Sequence, residues 1–396
     1  MNYSLDGRSL KLDTRADIEP YLREIDPSNL EEIHLGGNTI GVEAARALAE
    51  TLQKASKLKV ADFADIFTGR LISEIPLALS ALCDALIDKQ QLVEINLSDN
   101  AFGGRSVDPI VPFLTQNRAF QVLKLNNNGL GPAGGTVIAE ALRTSAELTK
   151  KEGRTSNLRT VICGRNRLEN GSADAWAAAF AAHGTLQDVR MPQNGIRMEG
   201  ITALAGGLAA NAKLEHLDLQ DNTFSQAGEQ AFAKSLPLWP ALHTLNFSDC
   251  VLSDEGGEVP RTIEVLAQGS NPALRNLFLQ NNNLDSKTAA VLAGGIGTHL
   301  KAVTRIEFQW NEVEEDDEDV QTLADNMTAR GGKFLLEDED EDAADADAAD
   351  EELDEPAVPA PASDVVEDEA KAEKAAADKA ADDLADILGK VSLDKA

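Results

Sequence analysis

FQVLKLNNNGLG, residues 120–131, sets the frame for the rest of the chain. Phe120, Leu123 and Leu125 are apolar, Asn128 is polar at a fixed offset, and Leu130 follows it. The same frame recurs from Leu30 with Asn38, from Leu92 with Asn100 and from Leu158 with Asn166. It returns from Leu186 with Asn194, from Leu214 with Asn222 and from Leu274 with Asn282. Degenerate copies start at Leu58, with Ile66 in the polar position, at Leu242, with Cys250, and at Val303, which keeps Asn311.

This spacing, L-x-x-L-x-L-x-x-N-x-L, is the leucine-rich repeat signature. Successive starts are 28, 34, 28, 38, 28, 28, 28, 32 and 29 residues apart. A unit of 28–29 residues holds a short strand, a turn and a helix such as VEAARALAETLQ (42–53). Leu48 and Leu52 lie four apart and face inward there, and the many alanines let helix and strand pack closely. The expected fold is an α/β solenoid, a horseshoe of about ten to eleven repeats with parallel strands on the concave face and helices on the convex face. Each ladder asparagine is expected to turn inward and bond backbone groups of the turn that water cannot reach. Residues 1–29 read as an N-terminal cap, with Thr14 and Asp17 as a capping box opening a helix through about Ile25. Residues 30–336 hold the repeats and a C-terminal cap; a helix from about Asp316 to Arg330 stops at Gly331 and Gly332, and KFLLE (333–337) closes the edge.

From 337 to 396 the composition is Ala, Asp and Glu with no aromatic residue. Such a segment buries too little apolar surface to offset its conformational entropy, so an acidic disordered tail is expected. Within it, LADILGKVSL (384–393) has the leucine spacing of a nuclear export signal; the plainer alternative is a weak amphipathic helix end. The chain carries 36 basic and 67 acidic residues, net -31. The tail has 23 acidic and 5 basic residues, net -18, which leaves -13 for residues 1–336. Both parts repel nucleic acid and anionic lipid, so neither a nucleic-acid nor a membrane partner is expected. Cys83, Cys163 and Cys250 fall at core positions and read as buried thiols. The absence of a long apolar run points to a soluble, intracellular protein. The five histidines are scattered, with no metal-ligand spacing among them.

No Walker loop, nucleophile elbow, paired-carboxylate site or dinucleotide fingerprint is present, so the chain is not read as a self-contained enzyme. Two surpluses break the repeat step, ADFADIFTGRLISEIP (61–76) and TSAELTKKEGRTSN (144–157), the second read as a mixed-charge excursion after a helix. The residues just before the ladder position, which point outward if the ladder points in, are Gly37, Asp65, Asp99, Asn127, Arg165, Gln193, Asp221, Asp249, Asn281 and Trp310. This mostly polar column is either a ridge offered to a partner or a solvated rim.

DIFTGR (65–70) with EIP (74–76), LSDNAFG (97–103), NNGLGP (127–132), ICGRNRLENGS (162–172), QNGI (193–196) and LDLQDNTF (217–224) together resemble the fungal, cytosolic type of Ran GTPase-activating protein. The resemblance implies acceleration of GTP hydrolysis by Ran in trans, with no cofactor of the chain's own because Mg and GTP are carried by the GTPase. It implies a Ran-GTP partner, alone or with a Ran-binding domain protein, a monomer, and a cytoplasmic or perinuclear location in which nuclear exclusion is aided by 384–393. Asn127 matches the family's catalytic asparagine, which positions Ran's own glutamine. Arg70 matches an arginine needed for activity that stays outside the active site and fixes the binding surface; its alternative is a surface arginine paired with Asp65 or Glu74. Asp65, Asp99, Asn100, Arg165, Asn166, Asp221 and Asp249 are the remaining partner-binding candidates. Ile72 departs from the family pattern, which commonly has a basic residue there, so the resemblance carries no charge contact to this position. The competing reading is a non-catalytic horseshoe that inhibits or scaffolds a basic protein through its acidic rim, in the manner of ribonuclease inhibitor.

Overall fold

A computed structural model describes residues 1–253 and 257–338. Among these residues, twelve strands form one parallel sheet whose spatial order follows the chain, from Asn2–Ser4 to Lys333–Leu335. Each repeat contributes three strand residues, and the central one is buried: Ile33, Ala61, Ile95, Leu123, Val161, Val189, Leu217, Leu245, Leu277 and Ile306 are all fully covered. Neighbouring strands pair in the repeat frame even where the step is long. Ala61 faces Ile95 and Leu123 faces Val161, so the surplus residues are absorbed outside the sheet.

Helices return the chain to the next strand and bury their alanine- and leucine-rich faces. Val42–Lys54 buries Ala44, Ala45, Ala47, Leu48, Ala49 and Leu52, and ends with Lys54 in its last turn, where a cation suits the helix dipole. Adjacent helices lie close enough that side-chain volume decides the spacing. A Cβ on Gly207 would stand 2.3 Å from the Ala177 carbonyl oxygen, so a hydrogen is all that fits there.

The ladder asparagines bond as their burial demands. Asn128 is fully buried; its Nδ2 donates to the carbonyls of Leu97 (2.9 Å) and Leu125 (3.1 Å), while its Oδ1 accepts from the Asn100 amide (3.0 Å). Its own amide donates to Oδ1 of Asn166 (3.0 Å), and the Asn166 amide to Oδ1 of Asn194 (3.0 Å), so the turns are tied in series. Each such bond contributes roughly 1 kcal/mol net. At the degenerate position 250 the cysteine thiol takes over the donor's place, with Sγ 3.3 Å from the Leu219 carbonyl and 3.2 Å from that of Ser248. Burial pushes all three thiols up, Cys163 to about 12, which keeps them protonated.

Two local expectations change. The N-terminal segment adds two short strands before its helix: Asn2–Ser4 pairs with Glu32–His34, Lys11–Leu12 pairs with Thr39–Ile40, and the Leu10 amide donates to Oδ1 of Asn38 at 2.9 Å. The helix that follows, Arg15–Leu22, is opened by Thr14, whose amide donates to Oδ2 of Asp17 at 2.7 Å. The 144–157 surplus is mostly not a loop. It extends one helix, Gly131–Lys151, in which Ser145, Ala146 and Thr149 are buried, and Gly153 follows with a φ of 71°. At the other end, Glu318–Thr328 is capped by Asp317, whose side chain accepts from the Asp319 amide at 2.9 Å. Lys333–Leu335 then pairs with Arg305–Glu307, and Phe334 packs on Phe308. The acidic segment from 339 and the export-like stretch 384–393 lie outside the described residues. Among the described residues, no helix is long and apolar enough to cross a membrane.

Candidate functional site

The column before the ladder shares one backbone conformation. Gly37, Asp65, Asp99, Asn127, Arg165, Gln193, Asp221, Asp249, Asn281 and Trp310 all have positive φ, between 43° and 68°. This left-handed turn tucks the next residue into the stack and, from Asp65 through Asn281, aims the column amide at the following repeat; the Asn127 amide donates to the Gly164 carbonyl at 3.0 Å. Gly, Asn and Asp adopt such a φ readily, whereas other side chains cost about 1–2 kcal/mol there. The abundance of Asp and Asn in the column therefore has a conformational cause as well as a polar one. Arg165, Gln193 and Trp310 do not follow from it, and Trp310 is 61% exposed.

Side chains in the column pair along the stack. Asn127 donates from Nδ2 to Oδ1 of Asp99 (2.9 Å), Arg165 from Nε to Oε1 of Gln193 (2.7 Å), and Asn281 from Nδ2 to Oδ1 of Asp249 (2.7 Å). Asp65 holds the Thr68 hydroxyl. Desolvation raises the Asp99 carboxyl above its usual range, and the neighbouring Asp65 adds to the rise, against the Asn127 amide and the Arg165 charge. Asn127 and Asp221 are exposed, and Asp65, Asp99 and Asp249 are half-buried. Among the described residues the Asn127 Oδ1 makes no hydrogen bond, so an acceptor stands free above an amide already fixed by Asp99.

Asn100 and Asn166 belong elsewhere. Both are buried: Asn100 Nδ2 donates to the Phe63 and Leu97 carbonyls, and Asn166 Nδ2 to those of Leu125 and Gly164. Their amides are committed to the ladder, which removes them from the set of partner-binding residues.

Arg70 is paired with neither Asp65 nor Glu74. Its Nε donates to Oγ1 of Thr39 (2.8 Å), its Nη2 to the Thr39 carbonyl (2.8 Å), and its Nη1 forms an ion pair with Asp13. Glu74 instead accepts from the Leu71 amide at 3.3 Å. The guanidinium holds the Asp13 carboxyl below the usual carboxylate range. Asp13 and Thr39 lie 57 and 31 residues away in the chain, and nothing local in the sequence links them to Arg70.

The exposed face of the sheet carries further polar groups that the sequence does not single out. Lys124 pairs with Glu94 (2.8 Å) and Arg190 with Asp188 (3.0 Å). Asp218 is only 5% exposed, and burial pushes it up to about 6; the same cause pushes His216 down to about 4. Potential ligand atoms of Asp6, His34 and Asp62 lie within 4.8 Å of one another, a grouping built from successive repeats rather than from local spacing.

The family model for the leucine-rich repeat matches residues 27–49, 210–233 and 240–259. Ran GTPase-activating protein 1 of Saccharomyces cerevisiae is 35% identical over 81% of this chain and 81% of its own length. Ran GTPase-activating protein 1 of Xenopus laevis is 48% identical over 49% of this chain, and Ran GTPase-activating protein 2 of Caenorhabditis elegans is 43% identical over 50%. The matched region spans 34% of the Xenopus protein and 21% of the Caenorhabditis one, so the match covers about a third of the first and about a fifth of the second. With the yeast relative aligned along most of both chains and the repeat frame continuous through the sheet, the chain belongs to the Ran GTPase-activating protein family of leucine-rich-repeat proteins.

Proposed function

We propose that this chain accelerates GTP hydrolysis by Ran in trans, supplying no nucleotide, metal or covalent intermediate of its own. The carrying observation is the pair at 127 and 128: Asn128 is locked in the stack, and Asn127 stands outward with a free Oδ1 and an Nδ2 held by Asp99. An amide fixed in this way can accept from the side-chain amide of Ran's glutamine and hold it against the attacking water. That is catalysis by positioning, and it adds no charge to the site. Mg and GTP stay with Ran. Arg70, committed to Asp13 and Thr39, serves the binding surface rather than reaching for the phosphates.

Asp65, Asp99, Arg165, Asp221 and Asp249 form the contact ridge beside Asn127, and the chain acts as a monomer, alone on Ran-GTP or with a Ran-binding domain protein. A cytoplasmic location follows from this role, with 384–393 as an export segment. Replacing Leu388 and Val391 by Ala is then expected to raise the nuclear fraction, and an unchanged distribution would count against it. The direct test is single-turnover GTP hydrolysis by Ran with and without the full chain. Strong acceleration is expected. Tight binding to Ran or to a basic protein without acceleration would favour the non-catalytic horseshoe.

A further inference from the structure

Arg70 lies in a loop whose next two residues, Leu71 and Ile72, are 66% and 63% exposed, yet its own side chain is 8% exposed. The loop is built around that contrast. Phe67 is buried, the Arg70 amide donates to the Phe67 carbonyl at 3.0 Å, and the Glu74 amide donates to the Leu71 carbonyl at 2.9 Å. From this turn the guanidinium crosses to a separate two-stranded sheet, Lys11–Leu12 beside Thr39–Ile40. It grips Thr39 through two 2.8 Å bonds and Asp13 through the ion pair. Gly41 makes room for it: a Cβ there would stand 2.7 Å from the Asp13 carbonyl oxygen and 3.1 Å from Nη1 of Arg70. Asp13 is itself fixed, with its amide donating to Oδ2 of Asp17 at 3.2 Å. The N-terminal cap thus reaches, through one arginine, a loop that begins at the column residue Asp65 and is continuous with the ridge.

Resting on the Ran-activating function above, we propose that Asp13 is a positioning residue: through Arg70 it holds the loop 67–72 so that Leu71 and Ile72 meet an apolar patch on GTP-bound Ran at a fixed place beside the ridge. Two large apolar side chains held in water by a buried arginine have no use inside this repeat, where Phe63, Ile66 and Phe67 already fill the core. The Asp13 side chain is 43% exposed while that of Arg70 is 8% exposed, so water reaches only one end of the pair; Arg70 keeps its two bonds to Thr39 when Asp13 is removed, which limits the cost to global stability. Its effect is on the conformations open to one loop, and hence on the ordering entropy of binding. Asp13 touches no reacting group, so it acts on affinity and leaves the hydrolysis step alone.

The test compares Asp13→Ala, Asp13→Asn, Arg70→Ala and the Asp13→Ala/Arg70→Ala double variant in the full chain. KM for Ran-GTP and kcat are measured together with amide hydrogen exchange of residues 67–74. Asp13→Ala is expected to raise KM by about tenfold with kcat within about twofold, and Asp13→Asn, which keeps an acceptor, to fall between it and wild type. The double variant should match the worse single variant, and exchange at 67–74 should quicken. An unchanged KM overturns the proposal, as do a lowered kcat at unchanged KM, multiplying effects in the double variant, or unaltered exchange. A wild-type chain that leaves Ran's hydrolysis unaltered would defeat the activating function itself, an outcome distinct from an active chain whose KM ignores Asp13.

Discussion

Asn127 and Asn128 are adjacent and chemically identical, so exchanging them one at a time isolates what the fold assigns to each. Asn128→Ala removes two donated bonds and one accepted bond in a site that water does not reach. The Leu97 and Leu125 carbonyls each keep another donor, Nδ2 of Asn100 at 2.9 Å and Nδ2 of Asn166 at 2.8 Å. The Asn100 amide loses its side-chain acceptor and is stranded. One stranded buried amide costs about 1–3 kcal/mol and two lost bonds about 1 kcal/mol each, so a loss of about 3–5 kcal/mol in unfolding free energy is expected. At 127 an alanine would add strain at a φ of 51°, so Asn127→Gly is the cleaner deletion. It removes one exposed bond to Asp99 and should shift stability by no more than about 1 kcal/mol. On Ran the ranking reverses: Asn127→Gly, like Asn127→Ala, should remove more than about 3 kcal/mol of acceleration, near a hundredfold or more in rate. Urea unfolding measures the first pair of values and single-turnover hydrolysis at saturating activator the second. Equal stabilities for the two variants, or full acceleration by Asn127→Gly, would refute the alternation on which the assignment rests.

Asp218 and His216 set opposite pH dependences. Asp218, raised to about 6, favours the fold at low pH, and that contribution is lost as pH rises from about 4 to 6; His216, lowered to about 4, destabilises the fold as pH falls from about 6.5 to 4. Asp218→Asn keeps an acceptor for the Gln220 amide, so it should gain about 2–3 kcal/mol at pH 7 and leave a stability that climbs more steeply from pH 4 to 6.5 than wild type, as read by thermal melts across that range. Gly207→Ala should cost about 1–3 kcal/mol through its clash with Ala177, while Gly206→Ala, with open space around it, should stabilise by about 0.5–1 kcal/mol; urea midpoints of the two distinguish packing from helix propensity. A chain ending at Asp338 keeps the whole described sheet and should retain full activity on Ran in the hydrolysis assay, and loss of activity would assign a role to the acidic segment.

Periodicity alone fixes the strand, the buried ladder and the outward column, because one residue's displacement moves a side chain from the stack to the solvent. Asn128 inside and Asn127 outside is such a consequence, and so is the place of Cys163 and Cys250 in the core. The chain's order along the sheet follows from the same rule, since each repeat can cover its apolar edge only with the next. What the pattern does not carry is anything that depends on groups from different turns meeting. The Asp13–Arg70–Thr39 grip, the Asp99–Asn127 bond, the burial of Asp218 and the nearness of Asp6, His34 and Asp62 are all contacts between successive repeats or between a repeat and the cap. Asn100 and Asn166 show the other side of this: a polar residue in a functional-looking motif is claimed by the backbone when it falls on the ladder. The 144–157 surplus read as an excursion because its charges are mixed, yet three of its residues are covered by packing and hold it in a helix. Sequence spacing decides which way a side chain points, and only the stacked structure decides what it then touches.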